Sequence, residues 1–230
     1  FRAPNLAELT VDGVHEGTNR YEKGTIDLKI EQNFQTDVAL EYKNKHIEFF
    51  ANGFYNKIND YIFIAPNGQT IDGNDVYVYS QNNANLYGGE VGFHLHPHPL
   101  DWLHIESSFE TVTGKLTSDA YLPLIPANSI KNTLRVEFDK SWLKNGYAFV
   151  ALQSTFAQNN TGAFETSTSG YNLLSAGLGG SFKLFNKEAI VSISGTNLTD
   201  KTYINHLSRF KTEGIYNMGR NITFGVTYKL

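Results

Sequence analysis

Apolar and polar residues alternate with a period of two along most of this chain. In residues 31–43 the even positions carry apolar side chains such as Phe34 and Val38, and the odd positions carry polar ones such as Asp37 and Glu41. Successive side chains of a β-strand point to opposite faces, so this pattern predicts a two-faced strand. Nine segments follow the same rule, and no segment shows a convincing helical period. They are residues 31–43, 46–55, 85–95, 102–111, 130–138, 147–158, 171–184, 189–197 and 221–230.

The lengths of these strands and of their connections are typical of a membrane barrel. Strands of about ten residues exceed the five or six that are usual in soluble proteins, and they match a tilted strand that crosses a bilayer. Short connections (residues 44–45, 96–101, 139–146 and 185–188) alternate with long ones (residues 64–75, 113–128, 159–170 and 198–219). Outer-membrane barrels have short periplasmic turns and long extracellular loops. The pattern therefore predicts an all-β fold, an antiparallel up-and-down transmembrane β-barrel.

The aromatic residues and the composition support this interpretation. Trp102 and Trp142 both lie beside short connections, which predicts an aromatic girdle at the periplasmic interface. Hydrophobic residues make up only 40% of the chain, as expected if only every second strand residue meets lipid. The formal charge of −4 and the absence of a basic cluster give no reason to expect a nucleic-acid partner. The absence of cysteine excludes disulfides, thiolate zinc sites and a cysteine nucleophile.

No motif in the sequence points to catalysis. Glu106 and Glu110 share the polar face of one predicted strand and could form an acid–base pair. The charged and polar lining of a barrel interior is the better explanation for them. The glycines of residues 177–180 lie inside a predicted strand, where they indicate close packing or curvature and not a phosphate-binding loop. We predict no enzymatic activity and no resident cofactor.

Several segments resemble motifs of the TonB-dependent outer-membrane receptors. The first nine residues, FRAPNLAEL, resemble the family's FRAPxLxEL segment, and residues 197–203, NLTDKTY, resemble its NLFDKxY segment. A Gly-Arg pair before an alternating last strand resembles the C-terminal end of these receptors, and residues 86–90 and 164–171 are also similar to family segments. The motif residues are Arg2, Pro4, Glu8, Asn197, Asp200, Tyr203, Gly219 and Arg220.

The resemblance implies a specific architecture and function. Receptors of this family are 22-stranded barrels closed by a plug, so residues 1–230 are expected to form about nine C-terminal strands without the plug. The implied function is the uptake of a metal ion or metal complex, of the zinc or iron–siderophore type, across the bacterial outer membrane. The implied partners are outer-membrane lipid and the TonB complex, contacted through the missing N-terminal region. Leu230 stands where the family usually ends on an aromatic residue.

Two alternatives remain open from the sequence: a passive outer-membrane porin and a soluble β-rich ligand-binding domain. For the ligand site, we predict metal contacts from His15, Glu16 and His206, which fall in the long, extracellular connections. Imidazole and carboxylate groups suit first-row metals, and parts of these loops are similar to the branch that includes zinc-uptake receptors. His94 and His96 share a strand face that could also suit a metal, but they lie beside a short turn, away from the expected ligand entrance.

Overall fold

The fold is a single, mainly antiparallel sheet in a computed structural model that describes residues 1–15 and 20–228. One short helix and eleven strands follow each other along these residues. The elements are α1 (Leu6–Thr10), β1 (Asp12–His15), β2 (Arg20–Lys23), β3 (Gln32–Lys43), β4 (Ile47–Ile71), β5 (Asn74–Leu95), β6 (Leu103–Leu116), β7 (Ser129–Phe138), β8 (Lys144–Thr155), β9 (Tyr171–Leu184), β10 (Lys187–Thr196) and β11 (Asn221–Tyr228).

Strands β3 to β11 form an up-and-down meander in which each strand pairs antiparallel with the next. These are the nine strands that the alternation predicts, so the all-β, antiparallel prediction is confirmed. Residues 229 and 230 of the last predicted strand lie outside the described residues. The prediction missed β1 and β2, because four residues are too few to display a period of two. These two strands form a hairpin, and β2 runs parallel to the start of β5.

The predicted long connection at residues 64–75 is wrong. Strands β4 and β5 continue through it and remain paired as far as Ile71 and Asn74. Asp72 and Gly73 close the hairpin with φ angles of 50° and 81°, the left-handed conformations that a two-residue hairpin turn requires. The alternation fails here because the register shifts twice in β4, after Ile58 and after Pro66, and each shift changes which positions share a face.

The other connections divide as predicted between the two ends of the sheet. One end, which we call the short-turn end, has the connections of residues 44–46, 96–102, 139–143 and 185–186. The opposite end, the long-loop end, has the β4–β5 hairpin tip and the loops of residues 117–128, 156–170 and 197–220. Trp102 and Trp142 both lie at the short-turn end and are 49% and 69% exposed.

Most of the buried hydrophobic residues lie toward the long-loop end, in the strands and in the loop that covers them. Ala84, Leu122 and Ile125 form a small core there, beneath the loop of residues 117–128. By contrast, apolar strand residues such as Phe224 and Val226 are about three-quarters exposed, at 74% and 76%. A continuous apolar outer face matches a sheet that is solvated by lipid. Among the described residues, no helix is long and apolar enough to cross a bilayer.

Candidate functional site

The candidate site is a cavity of about 330 Å³ at the long-loop end. Its walls come from β2, from the parts of β4 and β5 near the long-loop end, and from all three long loops. Cationic side chains of Arg20, Arg209 and Lys211 line it together with the aromatic rings of Tyr77 and Phe164. The guanidinium of Arg20 lies 4.6 Å from the centre of the Tyr77 ring. A concave site with apolar walls and a few convergent polar groups is the usual form of a small-molecule site.

Glu165 and His206 form the polar base of this cavity. His206 Nε2 lies 3.1 Å from Glu165 Oε1, and the two side chains are only 1% and 9% exposed. Glu165 also accepts backbone hydrogen bonds of 3.0 Å each from Leu124 and Gly162. Burial acts to raise the pKa of Glu165, but His206 and these backbone donors outweigh it, so the pKa is lowered from 4.5. The carboxylate therefore joins the loop of residues 156–170 to the two other long loops.

Lys211 completes the network from the other side of the imidazole. Its Nζ lies 3.2 Å from His206 Nδ1 and also contacts the carbonyl oxygen of Thr166. Thr168 Oγ1 contacts the same His206 nitrogen. Burial lowers the pKa of Lys211, and Glu165 partly offsets this effect. Both ring nitrogens of His206 thus have polar neighbours within the protein.

Side-chain hydrogen bonds fix the loop that carries Glu165. Gln158 is buried and donates through Nε2 to the carbonyl oxygens of Ile125 and Pro126, each at 3.0 Å. Its backbone forms an isolated antiparallel bridge with Thr168. Gly68 of β4 packs against the Phe164 ring, since a Cβ atom at Gly68 would come within 2.9 Å of that ring. The hairpin tip and the loops therefore support each other around the cavity.

The lowered pKa of Glu165 predicts that acid loosens the loop of residues 156–170. A carboxyl group with a lowered pKa in the folded protein stabilises it fully above the unfolded value of about 4.5 and loses that contribution as pH falls through the folded pKa. We expect pepsin cleavage of this loop, measured relative to the E165Q variant, to rise as the pH falls below about 4.5. At the higher pH values the E165Q variant is expected to be cleaved faster than the wild type. Its cleavage rate should also change less as the pH falls. A constant ratio of the two cleavage rates at every pH would contradict this.

The N-terminal motif residues form an ion cluster, not a ligand site. Arg2 Nη1 donates to both carboxylate oxygens of Glu8, at 2.8 and 3.0 Å, and Nη2 donates to Glu31 at 3.1 Å. Glu8 also forms a capping box with Asn5 at the start of α1, and Pro4 directly precedes this N-cap residue. The cluster attaches the first ten residues to the beginning of β3.

The C-terminal motif residues organise the loop between β10 and β11. Asn197 is 3% exposed. Its Nδ2 donates to the carbonyl oxygen of Lys201 at 2.9 Å, and its Oδ1 accepts a hydrogen bond from the backbone N–H of Lys201 at 2.8 Å. Asp200 accepts a 2.8 Å hydrogen bond from the backbone N–H of Arg220. Gly219 leaves room for this carboxylate, since a Cβ atom would lie 2.8 Å from Asp200 Oδ1. In a separate contact, the Tyr203 ring lies 4.3 Å from the ring of Tyr171.

The three predicted metal contacts occupy different positions. His206 lies in the cavity, His15 is exposed at the end of β1 and pairs in register with Arg20, and Glu16 lies outside the described residues. Their role as metal ligands remains a prediction. Four residues of the cavity were not predicted as site residues from the sequence: Arg20, Arg209, Lys211 and Glu165. Only Glu165 carried a signal, because it lies in the family-like segment of residues 164–171.

The sheet and its loops define a class: a membrane β-barrel with a ligand-sized cavity among its long loops. A family model described as TonB dependent receptor-like, beta-barrel, matches residues 1–198. The chain belongs to this family, and the resemblance predicted from its motifs is confirmed. The predicted location in the bacterial outer membrane is confirmed with it.

Solved structures of related fold are transporters and receptors for metals. The copper transporter OprC superposes with a TM-score of 0.78 at 21% identity, over 98% of this chain and 34% of its own. The FrpB iron transporter from Neisseria meningitidis gives 0.65 at 14% identity, over 90% and 32%. BauA, the ferric preacinetobactin receptor from Acinetobacter baumannii, gives 0.62 at 17% identity, over 86% and 30%. This chain thus spans about a third of their length. None of the three names mentions zinc.

Proposed function

We propose that this chain is part of a TonB-dependent importer that takes up a metal as an anionic complex. The family and the metal transporters of similar fold support metal uptake in general. The cationic cavity supports the narrower choice of a complex over a bare ion. TonB-derived energy is the mechanism of the family to which the chain belongs.

The charge of the cavity lining carries this proposal. Three cationic side chains line it, and among the described lining residues Glu165 alone carries a carboxylate, which is engaged by His206. Arg20 lies 3.5 Å from the carboxylate of Glu22, so Arg209 and Lys211 supply the excess positive charge. A bare dication entering such a site meets net repulsion, whereas an anion is attracted, and the low-dielectric walls strengthen both effects. Arginine also binds planar oxygen anions through two parallel hydrogen bonds. The Phe164 and Tyr77 rings offer apolar contact to the organic part of a chelator.

This proposal predicts that reversing the cavity charge weakens chelate binding. In the intact receptor, the R209E/K211E double variant is expected to bind an anionic ferric catecholate at least about ten times more weakly than the wild type. The difference should shrink at high salt, because screening weakens interactions between partly exposed charges. Affinity is measured by titration of the purified receptor in detergent.

The controls separate charge recognition from loss of structure. K201E reverses an exposed charge in the same loop but outside the cavity, and it is expected to bind the catecholate like the wild type. The loss of affinity in R209E/K211E should be much smaller for an uncharged ferric hydroxamate than for the catecholate. Equal losses for the charged and the uncharged complex, or no loss for either, would contradict the proposal.

A further inference from the structure

A group of three histidines lies at the opposite end of the sheet from the cavity. His94 is near the end of β5, His96 follows directly after it, and His104 is at the start of β6. Each histidine offers one ring nitrogen as a potential ligand atom, and these three nitrogens lie within 4.8 Å of one another. All three side chains are partly buried. Neither the family motifs nor the cavity accounts for this group.

The register of the β5–β6 hairpin brings the three rings together. It pairs His94 with Glu106 and Leu95 with Ile105, so its next pair is His96 opposite His104. His94 and His96 are two residues apart and share one side of the strand. The ring centre of His96 lies 4.1 Å from the ring centre of His94 and 4.4 Å from that of His104. The arrangement therefore follows from backbone pairing and not from the chance positions of flexible side chains.

The separation of two of these nitrogens is close to the one that a shared metal ion requires. His94 Nε2 lies 3.0 Å from His104 Nδ1. Two imidazole nitrogens bound tetrahedrally to one ion at ~2.0–2.1 Å are separated by about 3.3 Å. In the metal-free protein, one N–H proton lies between these two nitrogens. An ion bound to both would replace this proton, which moves to the other ring nitrogen of its own imidazole.

The outer face of His104 is arranged as it is in many metal sites. Within the described part of the chain, His104 Nε2 is buried without a hydrogen bond, and Glu137 Oε2 lies 3.5 Å from it. Arg135 holds the other oxygen of Glu137 through a 3.0 Å hydrogen bond. A carboxylate behind the second nitrogen of a ligating histidine fixes its tautomer and raises its basicity. Glu106 lies 3.8 Å from His94 and adds negative charge nearby.

We propose that His94, His96 and His104 bind one first-row divalent metal ion at the short-turn, periplasmic end of the barrel. Three neutral imidazoles are a common ligand set for zinc and copper, and they leave a fourth position for water. This site is independent of the chelate cavity, because it takes the ion alone and lies at the other end of the strands.

Zinc and copper binding to the intact receptor, purified metal-free in detergent, tests the site. Titration with Zn²⁺ is expected to show one tight site, and the EPR spectrum of the Cu²⁺ form should show coupling to imidazole nitrogens. H94Q/H104Q is expected to weaken Zn²⁺ binding by more than the ~10–100-fold that the loss of an outer carboxylate partner causes. E137Q should weaken it by about tenfold.

A neighbouring histidine pair provides the matched control. His46 and His98 lie at the same end with Asp101 in a second, more exposed group of potential ligands, and the centres of the two imidazole rings are 5.4 Å apart. H46Q/H98Q changes the same number of histidines and is expected to leave the tight Zn²⁺ site intact. Unchanged affinity in H94Q/H104Q, or an equal loss in H46Q/H98Q, would overturn the proposal. Heat-modifiable electrophoretic mobility, the difference in gel migration between unheated and heated samples, shows that each variant still forms its barrel. Because the probe is a bare ion at equilibrium, failure here leaves the chelate proposal untouched.

Discussion

Replacing Arg2 by methionine is expected to destabilise the folded receptor by about 3 kcal/mol and to release its first ten residues from β3. Removing one partner of a buried ion pair costs about 3–5 kcal/mol, because the remaining charge is left uncompensated. Here two carboxylates remain, on Glu8 and Glu31, and each side chain is only 11% exposed. The Arg2 side chain is 43% exposed, so water reaches the cluster and the lower end of the range applies.

The R2M/E8Q/E31Q triple variant is the matched control for this loss. Its amide oxygens can still accept the hydrogen bonds from Asn5 and Ile62, but no unpaired charge remains. We expect the triple variant to recover much of the stability that R2M loses. Urea unfolding measures the stability, and hydrogen exchange of residues 1–10 measures the local release. An R2M variant as stable as the wild type, or a triple variant no more stable than R2M, would contradict the electrostatic explanation.

The membrane makes the strands predictable from the sequence. Lipid on one face and a polar interior on the other impose opposite requirements on successive residues, and β3 and β11 show the result directly. Phe34 is 69% exposed on the outer face of β3, as Phe224 is at 74% on β11. Beyond the bilayer this constraint ends. The upper parts of β4 and β5 are packed by loops or solvated, and their bulges break the alternation, so their extension was missed.

The cavity could not be predicted because its residues are distant in sequence. Arg20 reaches it through the parallel pairing of β2 with β5, whereas Glu165 and Lys211 reach it on two different loops. No local pattern encodes these approaches.

The motif residues behave differently. Their spacing was recognisable, but their contacts show that Arg2, Asn197 and Asp200 hold loops in place. The histidine group is intermediate: the spacing of His94 and His96 was visible, and only the hairpin register adds His104.

Replacing Asn197 by alanine is expected to destabilise the loop of residues 197–220 by about 3 kcal/mol. The substitution removes donation to the carbonyl oxygens of Lys201 and Met218 and leaves the Lys201 N–H without its acceptor. The two short bonds with Lys201 contribute about 1 kcal/mol each, and the 3.4 Å bond to Met218 adds little. Asn197 also has a φ of 49°, and alanine in this left-handed region costs roughly 1–2 kcal/mol.

The N197G variant separates these two contributions. Glycine adopts the left-handed conformation without strain but makes none of the hydrogen bonds, so N197G should be more stable than N197A by about 1 kcal/mol and still less stable than the wild type. Hydrogen exchange and limited proteolysis of the loop measure this order. His206, Arg209 and Lys211 lie on the same loop. Both variants should therefore also bind an anionic ferric chelate more weakly, N197A more so than N197G. Loop protection equal to that of the wild type in N197A would show that Asn197 does not hold the loop.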